Sequence, residues 1–179
     1  MMNRIGKRII VTLVAVTIVM VLLVVSIPLR LVKTADRHST YSLPPSLSAK
    51  VIKEAIGMDA EQIIEYSLSL TASELSFAVL NDIPGGRANC VGYAQLCAAI
   101  CNQAMAINGI DSEAKPVVGY IESYGINWCK VLKAIAPKAG YKNFVKDHDF
   151  VVLVTDSMTY CFDPSIYDLL GKKCLYSTN

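Results

Sequence analysis

The chain has 179 residues, carries 17 Lys and Arg against 15 Asp and Glu, and is 53% hydrophobic. That length holds one ordinary domain plus an appendage, and a net charge of only +2, with no basic stripe interleaved with aromatics, excludes nucleic-acid binding. The hydrophobic content is high for a purely soluble chain, so its source has to be located.

Much of it lies in residues 9–29, "IIVTLVAVTIVMVLLVVSIPL", an uncharged run that follows a basic N-terminal segment, 1–8. At about 1.5 Å per residue it covers a bilayer core of roughly 30 Å, which predicts a single-pass transmembrane anchor with the lipid bilayer as partner. A cleaved signal peptide competes with this reading, but such peptides have an apolar region of about 7–15 residues and a small-x-small cleavage site. The following "RLVKTADRHS" offers no such pair. A buried core helix is the third reading. Arg4, Lys7 and Arg8 before the run are matched by Arg30, Lys33 and Arg37 after it. The default for a short basic N-terminus is the cytoplasmic side, with the C-terminal domain on the other face.

Residues 30–45 are polar, contain a Pro pair and lack an apolar period, so they read as a juxtamembrane linker to a domain at 46–179. Within that domain "SLSAKVIKEAIG" reads as a helix stopped by Gly57. "DAEQIIEYSLSL" opens a second helix with Asp59 and Gln62 at capping-box spacing. Thr71 and Glu74 repeat that spacing in "TASELSFAVL", whose helix or strand identity stays open.

Pro84, Gly85 and Gly86 then break the chain and deliver it to Cys90. From there Ala94, Cys97, Ala98, Cys101 and Met105 form one stripe of a 3.6-residue helix, and Val91, Leu96, Ile100 and Ile107 cover other faces. A helix apolar almost all round is expected to be buried, and Gly109 to end it. "KPVVGYI" reads as a strand. Residues 122–147 read as irregular, with a short helix around "WCKVLKAIA" and with Tyr124, Trp128 and Tyr141 available to face a substrate. "HDFVVLVTDSMTYCFD" reads as a hairpin. The order of elements makes the fold class α+β.

The hairpin carries a geometric consequence. With a two-residue loop at Thr155-Asp156 or Asp156-Ser157, His148 lies opposite Asp163 or Ser165, and in both registers His148 and Asp163 share a face. Cys90, at the start of a buried helix, is placed where unpaired N–H groups and the helix dipole favour a thiolate. His148 is the candidate base and Asp163 the group that fixes its tautomer. The Cys90 N–H would face an oxyanion, and Asn81, Asn89 and Trp128 are candidates for a second donor.

"NCVGYAQLCAAICNQAMAINGIDSEAKPVVGY", "DHDFVVL" and "YCFDPS", taken in order, resemble the core of transglutaminase-like cysteine enzymes, related in fold to papain-like proteases. The resemblance covers roughly residues 81–165. It implies a buried central helix packed on an antiparallel sheet, with Cys90 as nucleophile, His148 as general base and acid, and Asp163 as orienter. It also implies a peptidase or amidase, or a transamidase, acting on a peptide or protein substrate without a cofactor. The sequence departs from the family at Asp149, which follows the His where a small or apolar residue is commoner, and in lacking a Trp before the Asp.

Each residue also has a structural reading. Cys90 alone could be a small packing residue, and Cys97 and Cys101 continue its buried stripe as such. With Cys90 free, the remaining cysteines, Cys97, Cys101, Cys129, Cys161 and Cys174, are odd in number, which argues against a disulfide framework. The spacings contain no C-x-x-C, so no metal site is expected. His38 is expected to be solvated. The rivals to a thiol enzyme are an anchored transglutaminase-like binding domain without turnover and a purely structural membrane subunit.

Overall fold

Local capping chemistry sets the first helices. Pro45 occupies the first position of α1 (Pro45–Glu54), where its missing N–H costs nothing, and Leu47 and Val51 form the buried stripe. The turn after it uses Gly57 at φ +81°, and that glycine's N–H is bonded by the Asn108 side chain at 2.7 Å. Helix α2 (Ala60–Glu74) starts with the expected capping box: Asp59 accepts from the Gln62 N–H at 2.9 Å and the Gln62 side chain accepts from the Asp59 N–H at 3.0 Å. Thr71 and Glu74 do not begin a new helix. They finish α2, with Thr71 buried against the core, so burial overrides a capping spacing there.

A computed structural model of the chain describes residues 28–135, 147–156, 158–173 and 176–178. The expected anchor over 9–29 falls outside the described residues except for Pro28 and Leu29, as do Tyr141 and Cys174. The chain is α+β. Its main sheet is antiparallel in the order β1 (Arg30–Asp36), β4 (Glu113–Ser123), β6 (His148–Val154), β7 (Thr159–Phe162) and β8 (Tyr176–Thr178), with β5 (Ile126–Asn127) paired to β4. A second, two-stranded parallel pair joins β2 (Ser76–Phe77) to β3 (Arg87–Ala88).

Strand β1 corrects the linker reading of 30–45. Arg30–Asp36 pairs along β4, so these residues belong to the sheet and not to a linker. The strand is at the sheet edge and buries only Leu31. Charged residues on an exposed edge leave no hydropathy signal while main-chain hydrogen bonds hold the strand. The stretch after β4 is likewise more regular than expected. Tyr124 (φ +51°) and Gly125 (φ +76°) form a two-residue turn between β4 and β5, and α4 (Trp128–Ile135) follows.

Helix α3 (Cys90–Ile107) is the centre of the core. Tyr93, Leu96, Ile100 and Met105 are fully buried, packed with Ile63, Ile64 and Leu68 of α2 and with Val151, Leu153 and Phe162 of the sheet. Each such side chain contributes about 1.5–3 kcal/mol of burial. Among the described residues α3 is long and apolar enough to cross a membrane, but its burial here makes it the interior helix of a domain. Gly109 (φ +67°) ends it as expected. On the sheet's other face Val117, Phe150 and Val152 form a smaller cluster with Leu31.

Candidate active site

Three elements converge at the start of α3. Asn89 caps it, accepting from the Val91 N–H at 3.0 Å and donating to the Val79 carbonyl at 3.2 Å, while its own N–H bonds the Asn81 side-chain oxygen at 2.8 Å. The loop is thus tied to the helix end just before Cys90, which is only partly buried. These bonds use both ends of the Asn89 amide and make Asn89 the cap of the helix. Asn81 serves chiefly as an acceptor that fixes the loop.

The hairpin takes one of the two expected registers. Val154 pairs with Thr159 and Val151 with Phe162, and the Thr155 N–H bonds the Met158 carbonyl at 2.9 Å, as a loop at Asp156-Ser157 requires. Val151↔Phe162 is the last rung, so His148 and Asp163 lie beyond the ladder. They meet because Asp163 turns into the cap of helix α5 (Pro164–Leu170). Oδ2 of Asp163 pairs with Nε2 of His148. Oδ1 accepts from the Ser165 N–H at 3.0 Å, the Ile166 N–H at 3.0 Å and the Ser165 hydroxyl at 2.7 Å.

The Cys90 thiol interacts with the His148 ring and favours its charged form. With Nε2 committed to Asp163, the ring nitrogen left for other partners is Nδ1. One imidazole thus pairs with a fully buried carboxylate and interacts with a partly exposed thiol. No known family model and no curated protein matches the chain. The reading of these residues rests on their geometry and electrostatics.

The electrostatics are consistent with an ionised His148–Asp163 pair. Burial disfavours a charged ring at His148, but the Asp163 carboxylate and the interaction with Cys90 outweigh it and hold the imidazolium well above the usual histidine range. Burial works to raise Asp163 too, yet His148, the Ile166 N–H and the Ser165 hydroxyl bring its carboxyl below the usual range. Burial lifts the core thiol of Cys101 to about 12 and that of Cys97 well above its ordinary value. Cys90, Cys97, Cys101, Cys129 and Cys161 are free thiols.

The partner of Asp149 was not legible in the sequence. Asp149, 1% exposed, is held by Arg37, whose Nη2 donates to Oδ1 at 2.8 Å while Nε pairs with Oδ2. The Asp149 side chain therefore has a dedicated cation from the segment after β1, 112 positions away in the chain. His38, next to Arg37, is exposed. The Trp128 indole N–H is buried without an acceptor. A cavity of about 600 Å³ bordered by Arg37, Tyr41, Asn102 and Lys115 does not include Cys90, His148 or Asp163 in its lining.

Proposed function

We propose that the chain is a membrane-anchored thiol enzyme of transglutaminase-like, papain-related fold that attacks an amide carbonyl through Cys90, His148 and Asp163. The observation that carries the reading is the single imidazole of His148, paired with the buried Asp163 carboxylate and interacting electrostatically with the Cys90 thiol. The order of a Cys at a buried helix start, a His opening a strand and an Asp-Pro closing the next supports the same reading.

In this mechanism the Cys90 thiolate, paired with the His148 imidazolium, forms a C–S bond to the amide carbon. The oxyanion faces the Cys90 N–H, which belongs to a first helical turn without intrahelical acceptors. As the C–N bond breaks, His148 gives its proton to the leaving amine. Water, or an amine in a transamidase, then attacks the thioester; His148 takes its proton and the sulfur departs as thiolate. Asp163 keeps the ring oriented throughout. Residues 9–29 hold the domain at the bilayer, on the non-cytoplasmic face.

The test is alkylation of the full chain in detergent, with Cys90 labelling by iodoacetamide followed by peptide mass spectrometry. An ordinary thiol near pKa 8.5 is well under 1% ionised at pH 6. The expected result is labelling of Cys90 at pH 6 at least about tenfold faster than a free thiol, abolished by His148→Ala. Labelling that follows an ordinary thiol would favour the non-catalytic binding domain.

A further inference from the structure

We infer that Arg37 is a positioning residue of the Cys90 site, neutralising the buried carboxylate of Asp149 so that the thiolate and the imidazolium face each other without a competing anion. The inference rests on the reading of Cys90 as the nucleophile and adds to it a residue from outside the helix-and-hairpin core.

The geometry is specific. Asp149 follows His148 on β6 and is 1% exposed, so its charge is not screened by solvent. Arg37 meets both carboxylate oxygens, hydrogen-bonding Oδ1 through Nη2 and ion-pairing with Oδ2 through Nε. The backbone places Arg37 there: its N–H bonds the Pro116 carbonyl at 3.2 Å, directly after the edge strand. Arg37 interacts electrostatically with Cys90 as well as with Asp147 and Asp149.

The charged and titratable groups linked to the thiol can therefore be named by element. His148, at the start of β6, and Arg37, after β1, interact with Cys90 directly; Asp149 of β6, Asp147 just before it and Asp163 of the α5 cap act through those two. Cys97 lies two turns further along α3 and is fully buried. Two cations and two carboxylates, His148 with Asp163 and Arg37 with Asp149, form two closed pairs. The third carboxylate, Asp147, lies at the rim and is half-buried. Removing Arg37 opens the second pair and takes away a cation that interacts with Cys90, which disfavours the thiolate.

The experiment follows the pH midpoint of Cys90 labelling by iodoacetamide in the full chain. Arg37→Gln is expected to move the midpoint up by about one pH unit, the size of shift that gain or loss of one close charge produces. Asp149→Asn leaves the guanidinium uncompensated and is expected to move it down. The double variant R37Q/D149N is expected to return it close to wild type. A merely structural ion pair would lower the melting temperature of all three variants and leave the midpoint unmoved, which would overturn the assignment. Should R37Q fail to fold, the opposite-signed D149N shift and the double variant still decide. A wild-type midpoint at that of a free thiol would sink the enzyme reading and this one together. A low wild-type midpoint unchanged in all variants would sink this one alone.

Discussion

Asp163 serves His148 and its own helix with different oxygens: Oδ2 pairs with the imidazole, and Oδ1 accepts three hydrogen bonds within the first turn of α5. The carboxylate is therefore held rigidly before it touches the histidine. Helix capping and ring orientation become one structural requirement.

Asp163→Ala removes both functions at once. Breaking a buried charged pair costs about 3–5 kcal/mol, and the lost cap is part of that loss. Asp163→Asn keeps an oxygen for the cap and loses only the charge toward His148, so it is expected to cost clearly less. Urea unfolding of the two variants in detergent separates the contributions. Equal losses would show that the cap adds nothing.

The parts of this arrangement that could be read from the sequence are those set by local chemistry. The Asp59–Gln62 box, the apolar stripe from Cys90 to Met105 and the two-residue hairpin loop each depend on neighbours within a few positions. The nearness of His148 and Asp163 followed from that loop, although the contact is made beyond the last rung. Asp163-Pro164 at a strand end is also a helix start, with an N-cap followed by Pro. Strand β1 and Arg37 were illegible for a different reason. An edge strand with one buried apolar residue has no periodic signal, and the Arg37–Asp149 pair joins residues that only the folded sheet brings together. Thr71 shows the converse, a local signal overruled by burial in the core.

The bridge also predicts how stability depends on pH. His148 is held protonated in the fold well above its ordinary value of about 6.5, so its contribution is complete below that pH and is lost as pH rises toward the folded value. In a Cys90→Ala chain, where no thiolate balances the imidazolium, the unfolded state has released a proton between pH 7 and 8.5 that the fold retains. Stability should fall by up to about 1.4 kcal/mol per pH unit there. The buried thiols Cys97 and Cys101, whose ionisation is likewise suppressed, act only where free thiols ionise, near pH 8.5 and above. Melting temperatures measured across this window should therefore decline in Cys90→Ala and flatten in the Cys90→Ala/His148→Gln double variant. A decline that survives the substitution would assign it to another group.

Gly92 gives a prediction that opposes helix propensity. In the first turn of a helix, alanine is ordinarily better than glycine by about 1 kcal/mol. A Cβ on Gly92, however, would lie 2.6 Å from the Ala88 Cβ and 2.8 Å from the Asn81 side-chain oxygen, the atom that accepts the Asn89 N–H. Either the loop moves or the helix start does, and both carry Cys90 with them. Gly92→Ala is expected to destabilise the chain by about 1–3 kcal/mol, as overpacking does, and to slow Cys90 labelling at pH 6. Ala88→Gly in the same chain removes the closest contact and should recover part of both losses. Thermal melts and labelling rates on the single and double variants check the argument, and a G92A chain that melts at or above wild type would show that the loop yields freely and does not fix the position of the thiol.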